Sequence, residues 1–229
     1  MNPKPLSRPR LISMTLARFL AGVLLIGGLL FLPAGTLRYW QAWLYMGVLF
    51  VPLAIVSLVL LVKDPELLER RMRLQEREAP QKAAIAASSL FTLGVYLIAG
   101  FDRRYGWSAV PIALVLLAGL LVLLGYLLFT LTMRENRYAS RVVEVQEGQV
   151  VISTGPYALV RHPMYLAVSV MFAFSPLALG SYWALIPALL LPAALAVRIG
   201  NEERLLRQSL PGYEEYCRMV RYRLLPGIW

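Results

Sequence analysis

The sequence predicts an all-α integral membrane protein with four N-terminal transmembrane helices and a C-terminal helical hairpin. Of its 229 residues, 59% are hydrophobic and only 16% are charged, whereas soluble domains are about a quarter charged. The apolar residues are gathered into long runs, and most of the basic residues lie between those runs. Long apolar runs of this kind are typical of helices that cross a lipid bilayer.

The composition also excludes several classes of function. The net charge of +10 is not concentrated on one face of a soluble module, so we expect no nucleic-acid partner. Cys217 is the only cysteine, which excludes an internal disulfide framework and a cysteine-based metal cluster. His162 is the only histidine, which excludes zinc and iron sites built from several histidines. We therefore expect no metal site.

The four N-terminal spans follow from the lengths of the apolar runs. A helix needs roughly 20 apolar residues to cross the hydrocarbon core of a bilayer. Four segments meet this requirement: residues 14–34, 40–62, 83–101 and 108–133. The first follows a basic stretch, as in a signal peptide, but its length and the spans behind it favour a retained helix. Asp64-Pro65 ends the second run, because proline disfavours helical geometry in the residue before it.

The C-terminal hairpin is predicted from a fifth apolar region, residues 164–199, which is long enough to cross the membrane and return. Ser175-Pro176 and Gly180-Ser181 interrupt this region, so we expect a tight turn there. The chain thus divides into N-terminal transmembrane helices over 1–133 and a C-terminal region over 134–229.

The distribution of basic residues predicts the orientation. If the N-terminus is cytoplasmic, 20 of the 23 lysines and arginines lie in cytoplasmic segments or close to them. Only Arg38, Arg103 and Arg104 lie on the other side. Cytoplasmic loops carry an excess of Lys and Arg, so we expect both termini and the region around His162 to be cytoplasmic.

Two polar segments on that side are predicted to be helices at the membrane surface. Residues 63–82 mix charges of both signs at helical spacing, which indicates a solvated interfacial helix. Residues 200–222 place leucines and tyrosines on one side, which is typical of an amphipathic helix at the membrane surface.

The stretch QVVISTGPYALVRHPMYLAV, residues 149–168, has the strongest functional signal. Gly155-Pro156 and His162-Pro163 force non-helical backbone, which at membrane depth is tolerated only where it is buried in protein or lines a cavity. Arg198 and Glu202 are four residues apart, hence on one helical face. Taken singly, these residues fit an interfacial histidine and an intrahelical ion pair. Together they indicate a pocket at the end of a span.

Four segments carry a family resemblance: GPYALVRHPMY from 155, RIGNEERLL from 198, GYEEY from 212 and RLLPGIW from 223. In this order they resemble the isoprenylcysteine carboxyl methyltransferase family and its bacterial members, over roughly residues 134–229. Phospholipid N-methyltransferases share the broader pattern. The resemblance implies an enzyme of a bacterial inner membrane that transfers a methyl group from S-adenosylmethionine to a lipophilic acceptor.

The resemblance also implies a role for each matching position. The cofactor would contact Gln149, Val150, Val151, Ile152, Tyr157, His162, Pro163, Met164, Tyr165 and Glu202. Arg198 falls on the catalytic position that binds the substrate's carboxylate. Methyl transfer needs no metal, since the protein mainly aligns donor and acceptor.

The chemistry of these side chains agrees with the implied roles. Glu202 can accept hydrogen bonds from the cofactor's ammonium group, and Arg198 can engage a carboxylate with two hydrogen bonds. His162 and extended backbone at 149–152 can hold the cofactor's carboxylate, ribose or adenine. We expect the loop at 149–165 and the helix from Gly200 to close over the cofactor, while the acceptor enters from the lipid.

Four alternatives remain open at this point. The acceptor is either a carboxylate on an isoprenoid or lipid-linked substrate, which Arg198 favours, or the amine of a phospholipid. A sterol-reductase-like oxidoreductase would use a nicotinamide cofactor, but the sequence has no dinucleotide-binding glycine pattern. A transporter or scaffold would place polar residues at several mid-membrane positions, and the first four spans have few.

Overall fold

The computed structural model describes residues 7–71, 79–136, 138 and 148–229, which form helices joined by turns and loops without a β-strand. A 3-10 turn covers Gly155–Ala158. The α-helices are α1 (Arg8–Ala34), α2 (Trp40–Lys63), α3 (Pro65–Arg71), α4 (Ala79–Tyr105), α5 (Ile112–Glu135), α6 (Pro163–Ala178), α7 (Leu185–Ser209) and α8 (Tyr213–Met219).

Five of these helices are long and apolar enough to cross a membrane, namely α1, α2, α4, α5 and α7. The prediction of an all-helical protein with several membrane spans is therefore confirmed. The other arm of the hairpin, α6, has only 16 residues. At 1.5 Å per residue it is about 24 Å long, shorter than the ~30 Å core of a bilayer.

The boundaries differ from the prediction at both polar segments. Residues 200–222 are not one helix, because α7 continues to Ser209 and α8 begins only at Tyr213. Pro211 keeps Leu210 extended, and Gly212 has a φ of 83°, which favours glycine. Within 63–82, helix α3 ends at Arg71 and α4 begins at Ala79. The interfacial helix predicted over 63–82 includes residues 72–78, which lie outside the described residues.

Glycines allow close helix packing at three crossings of the bundle. A Cβ on Gly100 of α4 would lie 2.7 Å from the Leu30 carbonyl oxygen of α1, and one on Gly94 would lie 3.2 Å from Pro187 of α7. On α5, a Cβ on Gly125 would lie 2.8 Å from Met171 Cγ on α6. Lipid tails are as apolar as the side chains, so no hydrophobic force drives helices together in a membrane. Close packing at small residues is therefore a principal means of helix association there.

Gly125→Ala is expected to destabilise the protein by about 1–3 kcal/mol, because the added methyl group overpacks the contact between α5 and α6. Besides Met171, it would meet the Ala167 carbonyl oxygen at 3.1 Å. Gly119→Ala on the same helix is the matched control, since a Cβ there meets no atom within 4 Å. Thermal unfolding of the purified variants in detergent measures the difference, and equal melting temperatures would show that this crossing tolerates the methyl group.

One end of the bundle is tied together by a buried carboxylate, Asp102, near the end of α4. It accepts hydrogen bonds from Ser108 N at 2.7 Å, from Ser108 Oγ at 2.6 Å and from the Ser181 hydroxyl. The Tyr39 hydroxyl donates to the Leu179 carbonyl oxygen at 2.6 Å. These bonds join the turns that follow α1, α4 and α6, and they fix the hairpin turn far from the predicted pocket.

Candidate functional site

A cleft lies at the opposite end of α6 and α7, between the loop 149–162 and helix α8. The enclosed part of the cleft is small, with a volume of about 120 Å³, and its mouth opens to solvent. Binding sites for small molecules commonly measure about 300–1,000 Å³. A ligand the size of a nucleoside would therefore occupy the open mouth of the cleft as well as its enclosed part.

The structure brings nearly all of the predicted site residues to this cleft. Those that line it are Gln149, Val150, Val151, Ile152, Tyr157, His162, Met164, Tyr165, Arg198 and Glu202. Pro163 does not line it and is buried at the first position of α6, where its fixed φ favours the start of a helix. No role was predicted for the other lining residues, which are Asn136, Tyr138, Arg161, Leu205, Leu206, Leu210, Tyr213 and Tyr216.

The loop that forms one wall has no regular secondary structure over residues 149–153. Gly148 has a φ of 71° before it and Gly155 a φ of 56° after it, both in the left-handed region that favours glycine. The Tyr138 hydroxyl donates to the Gly148 carbonyl oxygen at 3.1 Å. Backbone outside helices and sheets can present N–H and C=O groups to a ligand.

Arg198, Tyr165 and Glu202 form a chain of hydrogen bonds along the cleft. Arg198 Nε donates to the Tyr165 hydroxyl at 2.8 Å, and that hydroxyl donates to Glu202 Oε2 at 2.6 Å. Arg198 and Glu202 do share one face of α7, as their spacing predicted, and the Tyr165 hydroxyl bridges them. The cleft thus presents a cation and an anion, each held by the same hydroxyl group.

A second ionic cluster centres on Glu203, which is 2% exposed. Its Oε1 lies 2.7 Å from Arg161 Nε and 3.3 Å from His162 Nε2, and its Oε2 lies 3.0 Å from Arg223 Nε. A buried carboxylate needs such partners because burial removes its hydration. The sequence showed both glutamates, but it could not show that successive residues, about 100° apart on a helix, would face two different clusters.

The C-terminal segment, residues 220–229, is hydrogen-bonded to the loop before α6. Arg161 N donates to the Tyr222 carbonyl oxygen and His162 N to that of Arg223, each at 2.9 Å. Arg161 Nη1 donates to the carbonyl oxygens of Val220 and Arg221. The Arg223 guanidinium lies 5.3 Å from the centre of the Trp229 ring, a cation–π distance. The C-terminal segment is therefore part of the framework of the site.

Helix α8 closes the cleft with two buried tyrosines. The Tyr216 hydroxyl donates to the Tyr157 carbonyl oxygen at 2.7 Å, and Asn136 Nδ2 donates to the Tyr157 hydroxyl at 3.0 Å. Burial raises the pKa of Tyr213 and of Tyr216, because the phenolate loses its hydration there. Both hydroxyls consequently remain protonated and able to donate hydrogen bonds throughout the physiological pH range.

Comparison with known proteins bears on the same part of the chain. The sequence model of the isoprenylcysteine carboxyl methyltransferase family matches residues 114–208. The similarity to that family is therefore confined to this part of the chain. No curated protein matches the chain.

The isoprenylcysteine carboxyl methyltransferase region runs from α5 through the loop and α6 to the last turn of α7. It contains Arg198, Glu202 and Glu203 and all of the cofactor positions that the sequence resemblance implied. The C-terminal segment and α8 lie beyond it, although Arg223 and Tyr216 contact its residues. The protein is thus a multi-pass membrane protein, and most of the residues that line its cleft lie in the region that the family model matches.

Proposed function

We propose that this protein is a membrane-embedded, S-adenosylmethionine-dependent methyltransferase that forms a methyl ester on the carboxylate of an isoprenoid or lipid-linked acceptor. The observation that carries the proposal is the hydrogen-bonded chain of Arg198, Tyr165 and Glu202 in a cleft of the methyltransferase family region. It provides a cation for an acceptor carboxylate and an anion for the cofactor's ammonium group, side by side.

The walls of the cleft fit S-adenosylmethionine in their chemistry. Glu202 accepts a hydrogen bond from Tyr165 through Oε2, and a carboxylate has further lone pairs for an ammonium donor. The backbone at 149–152 and the Tyr157 ring line the cleft and supply polar groups and an aromatic face for the nucleoside. When bound, the cofactor supplies an activated methyl group, which moves to the acceptor oxygen as the bond to sulfur breaks.

Arg198 orients the acceptor in this proposal. Tyr165 holds its Nε, so the plane of the guanidinium is fixed relative to Glu202. A fixed planar guanidinium engages a carboxylate with defined geometry. Because the carboxylate is already ionised, no general base is needed, and the contribution of the protein is orientation, worth about 7–11 kcal/mol in favourable cases.

We further propose that the cleft faces the cytoplasm of a bacterial cell. Three basic residues mark helix ends at the same end of the bundle as the cleft. Arg8 begins α1, Lys63 ends α2, and Arg134 lies in the last turn of α5. The excess of basic residues near this end supports a cytoplasmic orientation. A soluble cofactor would then enter from the cytoplasm and a lipophilic acceptor from the bilayer.

Binding measurements separate this proposal from a nicotinamide-dependent membrane oxidoreductase. The purified protein in detergent is expected to bind S-adenosylhomocysteine saturably in isothermal titration calorimetry and to show no saturable heat with NADPH. His162→Ala is expected to weaken S-adenosylhomocysteine binding, because the imidazole lines the cleft. Binding of NADPH but not of S-adenosylhomocysteine would contradict the proposal and favour the oxidoreductase.

A further inference from the structure

The Glu203 cluster determines which nitrogen of His162 carries a proton. Glu203 lies between two guanidinium groups, at 2.7 Å from Arg161 Nε and 3.0 Å from Arg223 Nε. Two such cations stabilise an ionised carboxylate, which can only accept hydrogen bonds. The contact of 3.3 Å between His162 Nε2 and Glu203 Oε1 therefore requires the proton to be on Nε2.

The other ring nitrogen is then the one that a ligand can use. His162 lines the cleft, and among the described residues its Nδ1 has no hydrogen-bond partner. In a neutral imidazole with a proton on Nε2, Nδ1 carries a lone pair and only accepts.

We infer that Glu203 is a positioning residue, which holds His162 as the Nε2–H tautomer so that Nδ1 accepts a hydrogen bond from the bound ligand. The matching ligand group is a donor, such as a ribose hydroxyl or an amino group, and not a carboxylate. The sequence left the cofactor's carboxylate, ribose and adenine open as partners of His162, and this inference excludes the carboxylate. The identity of the ligand as S-adenosylmethionine rests on the proposed function, whereas the tautomer does not.

The C-terminal segment has a defined part in this arrangement. Arg223 binds the Glu203 oxygen that His162 does not use, and its own carbonyl oxygen accepts a bond from His162 N. Arg223 thereby holds both the carboxylate and the backbone of the histidine. We expect the side chain of Arg223 to affect ligand affinity, although it is not among the residues that line the cleft.

Because His162 is the only histidine, nitrogen-15 labelling of histidine reports this ring alone in protein freed of any polyhistidine tag. At pH 8 the ligand-free protein is expected to show a protonated Nε2 and an unprotonated Nδ1. Saturation with S-adenosylhomocysteine is expected to shift the Nδ1 resonance more than the Nε2 resonance. A proton on Nδ1, a mixture of tautomers or a doubly protonated ring would overturn the inference. If the ligand does not bind, the proposed function fails while the ligand-free spectrum still decides the tautomer.

Two substitutions test the positioning role. Glu203→Gln is expected to give a mixture of tautomers, because an amide can donate as well as accept, but it leaves two guanidiniums without a carboxylate and the variant can fail to fold. Arg223→Gln is the milder change, and we expect it to raise the Kd for S-adenosylhomocysteine about 3- to 10-fold, the equivalent of one hydrogen bond. Arg221→Gln, exposed in the same segment, is the matched control. Equal affinity of the Arg223 and Arg221 variants, with an unchanged imidazole spectrum, would overturn the role of the cluster.

Discussion

Glu202→Gln is expected to weaken binding of S-adenosylhomocysteine roughly 10- to 100-fold, since a hydrogen bond to a charged group contributes about 1.5–3 kcal/mol. In the proposed function the carboxylate binds the cofactor's ammonium group, and the Tyr165 hydroxyl fixes the direction of that carboxylate. The glutamine keeps the shape and the bond to Tyr165 but loses the charge. Isothermal titration calorimetry on the purified variant measures the loss.

Glu215→Gln is the control for this substitution. Glu215 lies on α8 near the cleft but is exposed and does not line it, so its loss changes the net charge of the protein by the same amount. Its affinity for S-adenosylhomocysteine is expected to equal that of the unmodified protein. Equal losses in the two variants would mean that Glu202 acts only through general electrostatics and would remove its assigned role.

Arg198→Gln is expected to lower kcat/KM for the acceptor by about 100-fold, the equivalent of roughly 3 kcal/mol of interaction with a carboxylate. The affinity for S-adenosylhomocysteine is expected to change much less, because Glu202 and the loop 149–152 remain in place. Arg198→Lys keeps the charge without the planar fork, so an intermediate rate is expected. Steady-state kinetics with labelled S-adenosylmethionine measure both parameters.

Arg204→Gln provides the comparison, because Arg204 is exposed on the same helix and does not line the cleft. It is expected to retain the full rate. If Arg198→Gln instead lost cofactor affinity and kept kcat, Arg198 would belong to the cofactor site and the carboxylate acceptor would lose its main support.

Much of the transmembrane architecture could be predicted because it follows from local chemistry. Apolar runs of sufficient length marked the spans, and Asp64-Pro65 marked the end of α2 as the structure has it. The spacing of Arg198 and Glu202 likewise placed them on one face. The end of α7 was missed because residues 200–222 were read for amphipathic character, while Pro211 and Gly212 break the helix there.

The Glu203 cluster could not be predicted, because it depends on contacts between residues far apart in the chain. Nothing local to Arg223 indicates that it reaches Glu203, twenty residues earlier. Similarly, Tyr165 was predicted as a cofactor contact, but its position between Arg198 and Glu202 depends on how α6 packs against α7. Helical periodicity shows which residues share a face and does not show what that face meets.

The most direct test of the proposed activity is transfer of a labelled methyl group into lipid. Purified protein in liposomes is incubated with methyl-labelled S-adenosylmethionine and a lipid extract of the host, and the organic phase is then counted before and after mild base. We expect label in the organic phase that base releases as volatile methanol, as a methyl ester requires. Base-stable label would indicate methylation of an amine and contradict the carboxylate acceptor. No labelled lipid, from protein shown to bind S-adenosylhomocysteine, would contradict the methyltransferase itself.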